Sequence, residues 1–174
     1  MGFYQQIVKR SGRFISKKTL FKYGFNFSPM YRRSTARIID VSKDVSSIKV
    51  RLKISWKNKN YMGSIFGGSM FSAVDPIPMI QLINLLDDNY IIWDKSVQIN
   101  FKRPARDHLY ASFEFAEEEI EHIKQKVATE SEIEHKKKTL LTNKDGTTTY
   151  CEIVKTLYIA NKAYYKKKRA ERKS

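Results

Sequence analysis

The spacing of apolar residues changes several times along the chain, and each spacing predicts an element. Ala36-Arg-Ile-Ile-Asp-Val41 reads as a first strand. Ile48, Val50, Leu52, Ile54 and Trp56 then alternate with Lys49, Arg51, Lys53 and Ser55, the period-two signature of a strand with one face buried. Residues 57–63 are polar and predict a loop. From Ile65 to Leu86 the chain is apolar on nearly every side, which predicts a helix buried all round. Pro76 and Pro78 predict a kink within it, because each lacks an N–H and its ring crowds the preceding turn. Asp87-Asp88-Asn89 ends it.

A second group of strands follows. Ile91, Trp93, Val97, Ile99 and Phe101 are assigned to one face of a long strand and Asp94, Ser96, Gln98 and Asn100 to the other, with Lys95 interrupting the apolar side. Arg103-Pro104 closes it. Leu109, Ala111, Phe113 and Phe115 alternate through another strand. Ile120, Ile123 and Val127 form the inward stripe of a helix from Glu117 to about Glu130. Two more strands, roughly 133–142 and 148–160, flank Asp145-Gly146, a strong hairpin signal. The order predicts an α+β fold, a curved antiparallel sheet wrapped around a long central helix, with a second subunit able to complete the cover.

Charge divides the chain. The 174 residues carry 33 Lys and Arg against 18 Asp and Glu, a formal net charge of +15. Residues 1–37 hold nine Lys and Arg and no acid, and residues 162–174 hold seven against Glu171 alone; residues 38–161 hold 17 of each sign. The reading is a basic N-terminal extension (1–34), a neutral domain (35–161) and a basic, solvated C-terminal tail (162–174). In the extension, Phe3, Ile7, Phe14 and Phe21 fall on one helical face. Such a segment packs on its own domain, lies on an anionic membrane surface, or serves in organelle targeting.

No apolar run reaches the roughly 18 residues of a membrane span. The single Cys, Cys151, excludes an internal disulfide framework and points to a reducing, cytoplasmic setting, membrane-peripheral if the extension meets a bilayer. A neutral body without an aromatic-basic recognition motif argues against a specific nucleic-acid partner. His108, His122 and His135 are dispersed, so no metal set or cofactor is expected.

The candidate chemistry lies between Asn60 and Pro76. Gly67-Gly68 opens the buried helix, where unpaired N–H groups and the helix dipole can polarise a carbonyl and glycine permits close approach. Asp75 is the only charged residue between Lys59 and Asp87. It is either a reacting carboxylate or a cap for the kinked helix.

Asn60, Phe66-Gly67-Gly68 and Asp75 resemble the motif of the hotdog-fold acyl-CoA thioesterase superfamily, in its phenylacetate-degradation-like branch, with the same spacing. Ile65-Phe66-Gly67-Gly68, Asp75-Pro76 and Trp93-Asp94-Lys95 are similar to a bacterial subgroup of hotdog domains. The resemblance spans roughly residues 35–160 and implies hydrolysis of an acyl-CoA or acyl-carrier-protein thioester at a subunit interface. It implies that the Gly67 N–H polarises the thioester carbonyl, that Asp75 is nucleophile or general base, and that Asn60 orients water or substrate. Phe66 stands where the family has His, which removes a polar contact beside the carbonyl. A non-catalytic acyl- or lipid-binding module, or a membrane-peripheral one, is the alternative.

Asp94 is a second acid near Asp75 or half of a surface ion pair with Lys95. Asn100, Lys102, Arg103 and Arg106 are placed either at the coenzyme A phosphates or at a solvated strand end. Eight residues separate Gly67 from Asp75, roughly 12 Å of helix. One thioester therefore needs these groups from two antiparallel copies, as in a homodimer or a dimer of dimers.

Overall fold

The structure is a computed structural model and describes residues 16–172. The apolar face assigned to Phe3, Ile7 and Phe14 lies outside those residues. The elements are helices α1 (Lys17–Phe27) and α2 (Pro29–Arg33), strands β1 (Ala36–Val41) and β2 (Ser47–Leu52), helices α3 (Gly67–Val74) and α4 (Pro76–Leu85), strands β3 (Tyr90–Phe101) and β4 (Leu109–Glu114), helix α5 (Glu117–Glu130), strands β5 (Glu132–Thr142) and β6 (Thr149–Asn161), and helix α6 (Lys162–Glu171). All six strands form one antiparallel sheet in the order β1-β2-β4-β5-β6-β3. The α+β architecture expected from the sequence, a curved sheet around a central helix, is the one observed.

Two apolar clusters hold the helices on the sheet. Ile38, Val50, Leu52, Met70, Ile77 and Ile153 belong to the first, which α1 and α2 close with Phe21 and Tyr31. Leu82, Ile92, Ile123, Val127, Leu157 and Ile159 belong to the second, which α5 covers. Each fully buried Leu or Ile contributes about 1.5–3 kcal/mol relative to exposure. Tyr31 is wholly buried, and its hydroxyl donates to the Ala73 carbonyl at 2.9 Å. Gln81, also wholly buried, donates from Nε2 to the carbonyls of Val45 and Ser46 at 2.9 and 2.8 Å, tying α4 to the β1–β2 turn.

The long helix is broken where the prolines require it. α3 ends at Val74 and α4 begins at Pro76, with Asp75 between them. The strand read through Trp56 ends earlier, at Leu52. Asn58 causes this: its amide donates to the Lys53 carbonyl and accepts from the Ser55 N–H, so the chain turns out of the sheet. Trp56 is left exposed.

The two edges of the sheet are treated differently. On β1, Asn26 of α1 donates to the Ile38 carbonyl and accepts from the Ile38 N–H, both at 2.9 Å, as a neighbouring strand would. Lys22 donates to the next carbonyl, of Ile39. The opposite edge, β3, has no neighbouring strand among the described residues, and Trp93, Val97 and Phe101 are exposed along it. Residues 162–171, read as part of a solvated tail, form α6, and Lys168 pairs with Glu132.

Candidate functional site

The helix break delivers Asp75 to the sheet. Its side chain makes no capping bond to α4. It meets Lys155 of β6 instead, with Nζ 2.8 Å from Asp75 Oδ1 and 2.5 Å from the Asp75 carbonyl. The same ammonium lies 2.7 Å from Asp94 Oδ1. Lys155 is 3% exposed at its side chain, whereas Asp75 and Asp94 are 41% and 34% exposed. A buried cation thus holds two carboxylates at the rim of the open sheet edge. Removal of either sign would leave the other poorly compensated.

Asp94 reaches this position through a register break. Asp94 opposes Leu157 and Ser96 opposes Thr156, so Lys95 is an extra residue, a β-bulge. One inserted residue reverses the faces of all that follow. Trp93 therefore lies on the outer face opposite Tyr158, whereas Asp94 shares the helix-facing side with Val97, Ile99 and Phe101. The assignment of Asp94 to the polar face and of Trp93 to the apolar one is corrected accordingly. Lys95 pairs with Glu134, not with Asp94.

The other half of the site is the start of α3. Phe66 is the N-cap residue, and its carbonyl accepts from Ser69 and Met70. The Phe101 ring rests against Gly67, where a Cβ would stand 2.7 Å from Cζ; a Cβ on Gly68 would stand 2.3 Å from Phe66 Cε1. The two rings lean over the helix terminus, where N–H groups have no intrahelical partner, and a Cβ at either glycine would push a ring aside. The terminus is thus roofed by hydrocarbon.

These two halves are separate within one chain. Phe101 opposes Cys151 and Val97 opposes Lys155, so Gly67 and the Asp75–Lys155 pair sit at different heights along β3. Asn60 lies in the loop before α3 and uses its side chain there: Oδ1 accepts from the Met62 and Ser64 N–H groups, and Nδ2 donates to Ser64 Oγ. Asn100 opposes Glu152 on the outer face, away from α3. Lys102 and Arg103 are exposed just after β3. A cleft of about 620 Å³ beneath α6 is lined by Trp93, Asp94, Tyr158 and Lys168 and contains neither Gly67 nor Asp75.

Lys155 was missed in the sequence, although the signal was present: it has the parity of Cys151, Ile153 and Leu157, the buried residues of β6. A second group, Glu119 with His135 and Lys137 at 2.9 and 2.6 Å, links α5 to β5. Among the described residues no cluster of His, Cys, Asp and Glu has the arrangement of a metal site.

A curved six-stranded antiparallel sheet holding a central helix, with glycines at its start and a carboxylate midway, defines a hotdog fold, and comparison with known proteins agrees. The chain belongs to the family described as a domain of unknown function (DUF4442), whose pattern matches residues 17–150. No curated protein matches it in sequence. A probable thioesterase of Pseudomonas aeruginosa, whose function is unknown, shares the fold with a TM-score of 0.71 at 18% identity, over 82% of this chain and 94% of that one. A protein of unknown function from Chlorobaculum tepidum superimposes with a TM-score of 0.63 at 13% identity, covering 90% and 96% of the two chains. A thioesterase of Haemophilus influenzae does so with a TM-score of 0.52 at 12% identity, covering 92% of each. At such identities the likeness establishes the fold.

Proposed function

We propose that the protein hydrolyses an acyl thioester, carried by coenzyme A or a carrier protein, at a site shared by two copies of the chain. The observation that carries this reading is the half-exposed Asp75 carboxylate, held by a buried Lys155 at the edge of an otherwise uncharged helix. Antiparallel pairing of two β3 strands, centred on Gln98 and with Lys95 bulged out of register, would set Phe101 and Gly67 of one copy opposite Asp94 and Asp75 of the other. The Gly67 N–H would then donate to the thioester carbonyl as negative charge develops there. Asp75 would accept a proton from water as that water adds to the carbonyl carbon. The C–S bond breaks, the thiolate leaves with that proton as a thiol, and a carboxylic acid remains. Lys102 and Arg103, beyond the end of β3, would face the phosphates of coenzyme A.

The test is thiol release from acyl-CoAs of several chain lengths by the wild type and by Asp75→Asn. The reading expects turnover by the wild type and a loss of about 100-fold or more in the variant, with acyl-CoA binding retained. Phe66 supports a second reading. Its ring lies over Gly68 where a polar side chain would aid catalysis, and a purely apolar roof suits an acyl-binding module without turnover. Acyl-CoA binding with no thiol release at any chain length would favour that reading.

A further inference from the structure

The strand registers bring four segments to one end of the sheet: 28–35, 53–66, 102–108 and 143–148, which adjoin Ala36, Leu52, Phe101, Leu109, Thr142 and Thr149. They are tied together. Asn58 donates to Thr35 Oγ1 at 2.7 Å, the Ile54 N–H to His108 Nδ1 at 3.3 Å and the Ile65 N–H to the Ala105 carbonyl at 2.8 Å. These segments carry nine Lys and Arg against Asp107 and Asp145. At the opposite end, segments 42–46, 86–89 and 115–131 carry eight Asp and Glu against three Lys, and α6 lies there with Lys168 on Glu132. Seven of the nine lie within residues 38–161, so the neutral sum over that range conceals a polarised domain.

The basic end is also apolar at its tips. Trp56 is 83% exposed, Tyr61 wholly exposed and Met62 70% exposed, with Lys53, Lys57 and Lys59 among them and Lys57 over the Trp56 ring. Met30 and Phe66 are more than half exposed on the same end. Tryptophan and tyrosine favour the boundary between lipid headgroups and hydrocarbon, and adjacent cations favour anionic headgroups. Apolar tips on separate loops form a convex, discontinuous edge that a fluid surface can follow. Binding of single-stranded nucleic acid would call instead for a groove with aromatic platforms.

We infer that this end of the sheet, centred on Trp56, Tyr61 and Met62, docks on an anionic lipid bilayer. Docked in this way, the start of α3 faces the membrane.

The experiment is co-sedimentation of the full-length protein with phosphatidylcholine vesicles, with and without phosphatidylglycerol. The expected result is binding to the mixed vesicles alone, weakened by salt, with a blue shift of Trp56 fluorescence in a Trp93→Phe background. Joint substitution Trp56→Ser, Tyr61→Ser and Met62→Ser should reduce the bound fraction about tenfold or more. Lys57→Glu with Lys59→Glu should do the same without touching the apolar tips. All five side chains are exposed, so the fold is retained. Sedimentation of both variants at the wild-type level overturns the inference. So does loss of binding on deletion of residues 1–15 when the triple variant still binds, or displacement from vesicles by RNA that the triple variant holds equally well.

Discussion

Lys155 Nζ lies 2.8 Å from Asp75 Oδ1 and 2.7 Å from Asp94 Oδ1, so one buried ammonium bridges a helix break and a β-bulge. Lys155→Met leaves two carboxylates together without a cation, and because solvent screens both of them it should lower stability by about 1–2 kcal/mol in urea unfolding. Asp94→Asn should cost less, because Lys155 keeps both its bonds to Asp75. A variant ranking in the reverse order would refute this account.

The two halves of the site can be tested by complementation. Gly67→Val and Asp75→Asn should each be inactive alone. Mixed protomers should regain thiol release, because one of the two shared sites then contains both wild-type groups. Light scattering should report a dimer for the wild type, and Val97→Asp should halve the mass. Activity that stays absent in verified mixed dimers would exclude a shared site.

Gly67 and Phe101 should behave as a coupled pair. Gly67→Ala places a Cβ 2.7 Å from the Phe101 ring and forces it outward. Phe101→Ala should relieve that contact, so the double variant should be more stable than the two single losses predict. Additive losses would show that the ring does not constrain residue 67.

Cys151 is wholly buried, and burial pushes its thiol up to about 11. Its modification by a disulfide reagent near neutral pH should be slow and should keep pace with unfolding, because the thiolate and the access both come from opening. As the only cysteine, it reports on β6 directly. Fast modification of the native protein would contradict the packing described for this strand.

Asp44 accepts hydrogen bonds from Ser42 and Ser46, which lower its carboxyl from 3.8 to about 2. A depressed folded value means stability that is present above the ordinary carboxylate value and is lost as pH falls through about 2. The site is exposed, so the effect is small. The urea midpoint of the wild type should exceed that of Asp44→Asn at about pH 5, and the gap should close near pH 2. A constant gap would argue against the hydrogen bonds.

Period-two and helical spacings were enough to read the elements around Ile48–Leu52, Ile120–Val127 and Leu109–Phe115, because each buries one continuous face. Gly67-Gly68 and Asp75 were legible because they break an apolar run. Three features were not. The bulge at Lys95 adds one residue without altering composition, so the faces of Trp93 and Asp94 came out reversed. The parity of Lys155 marks it as inward-facing, but its partners lie 80 and 61 positions away in the chain, so the carboxylates it meets could not be read. Asn26 hides in a helix, where nothing local shows that its amide meets a strand edge. Each depends on a contact made only after the chain has folded.

The amide of Asn26 limits how this sheet can grow. With the middle of β1 bonded to α1 at Ile38 and Ile39, strand addition is blocked there and favours the β3 edge among the described residues, and two copies joined through β3 would use up that edge in both. Such a twelve-stranded pair would end in a capped strand at either side. Edge-to-edge assembly would then terminate at two and could not propagate into a fibre, so an Asn26→Ala protein is the form in which to look for longer polymers.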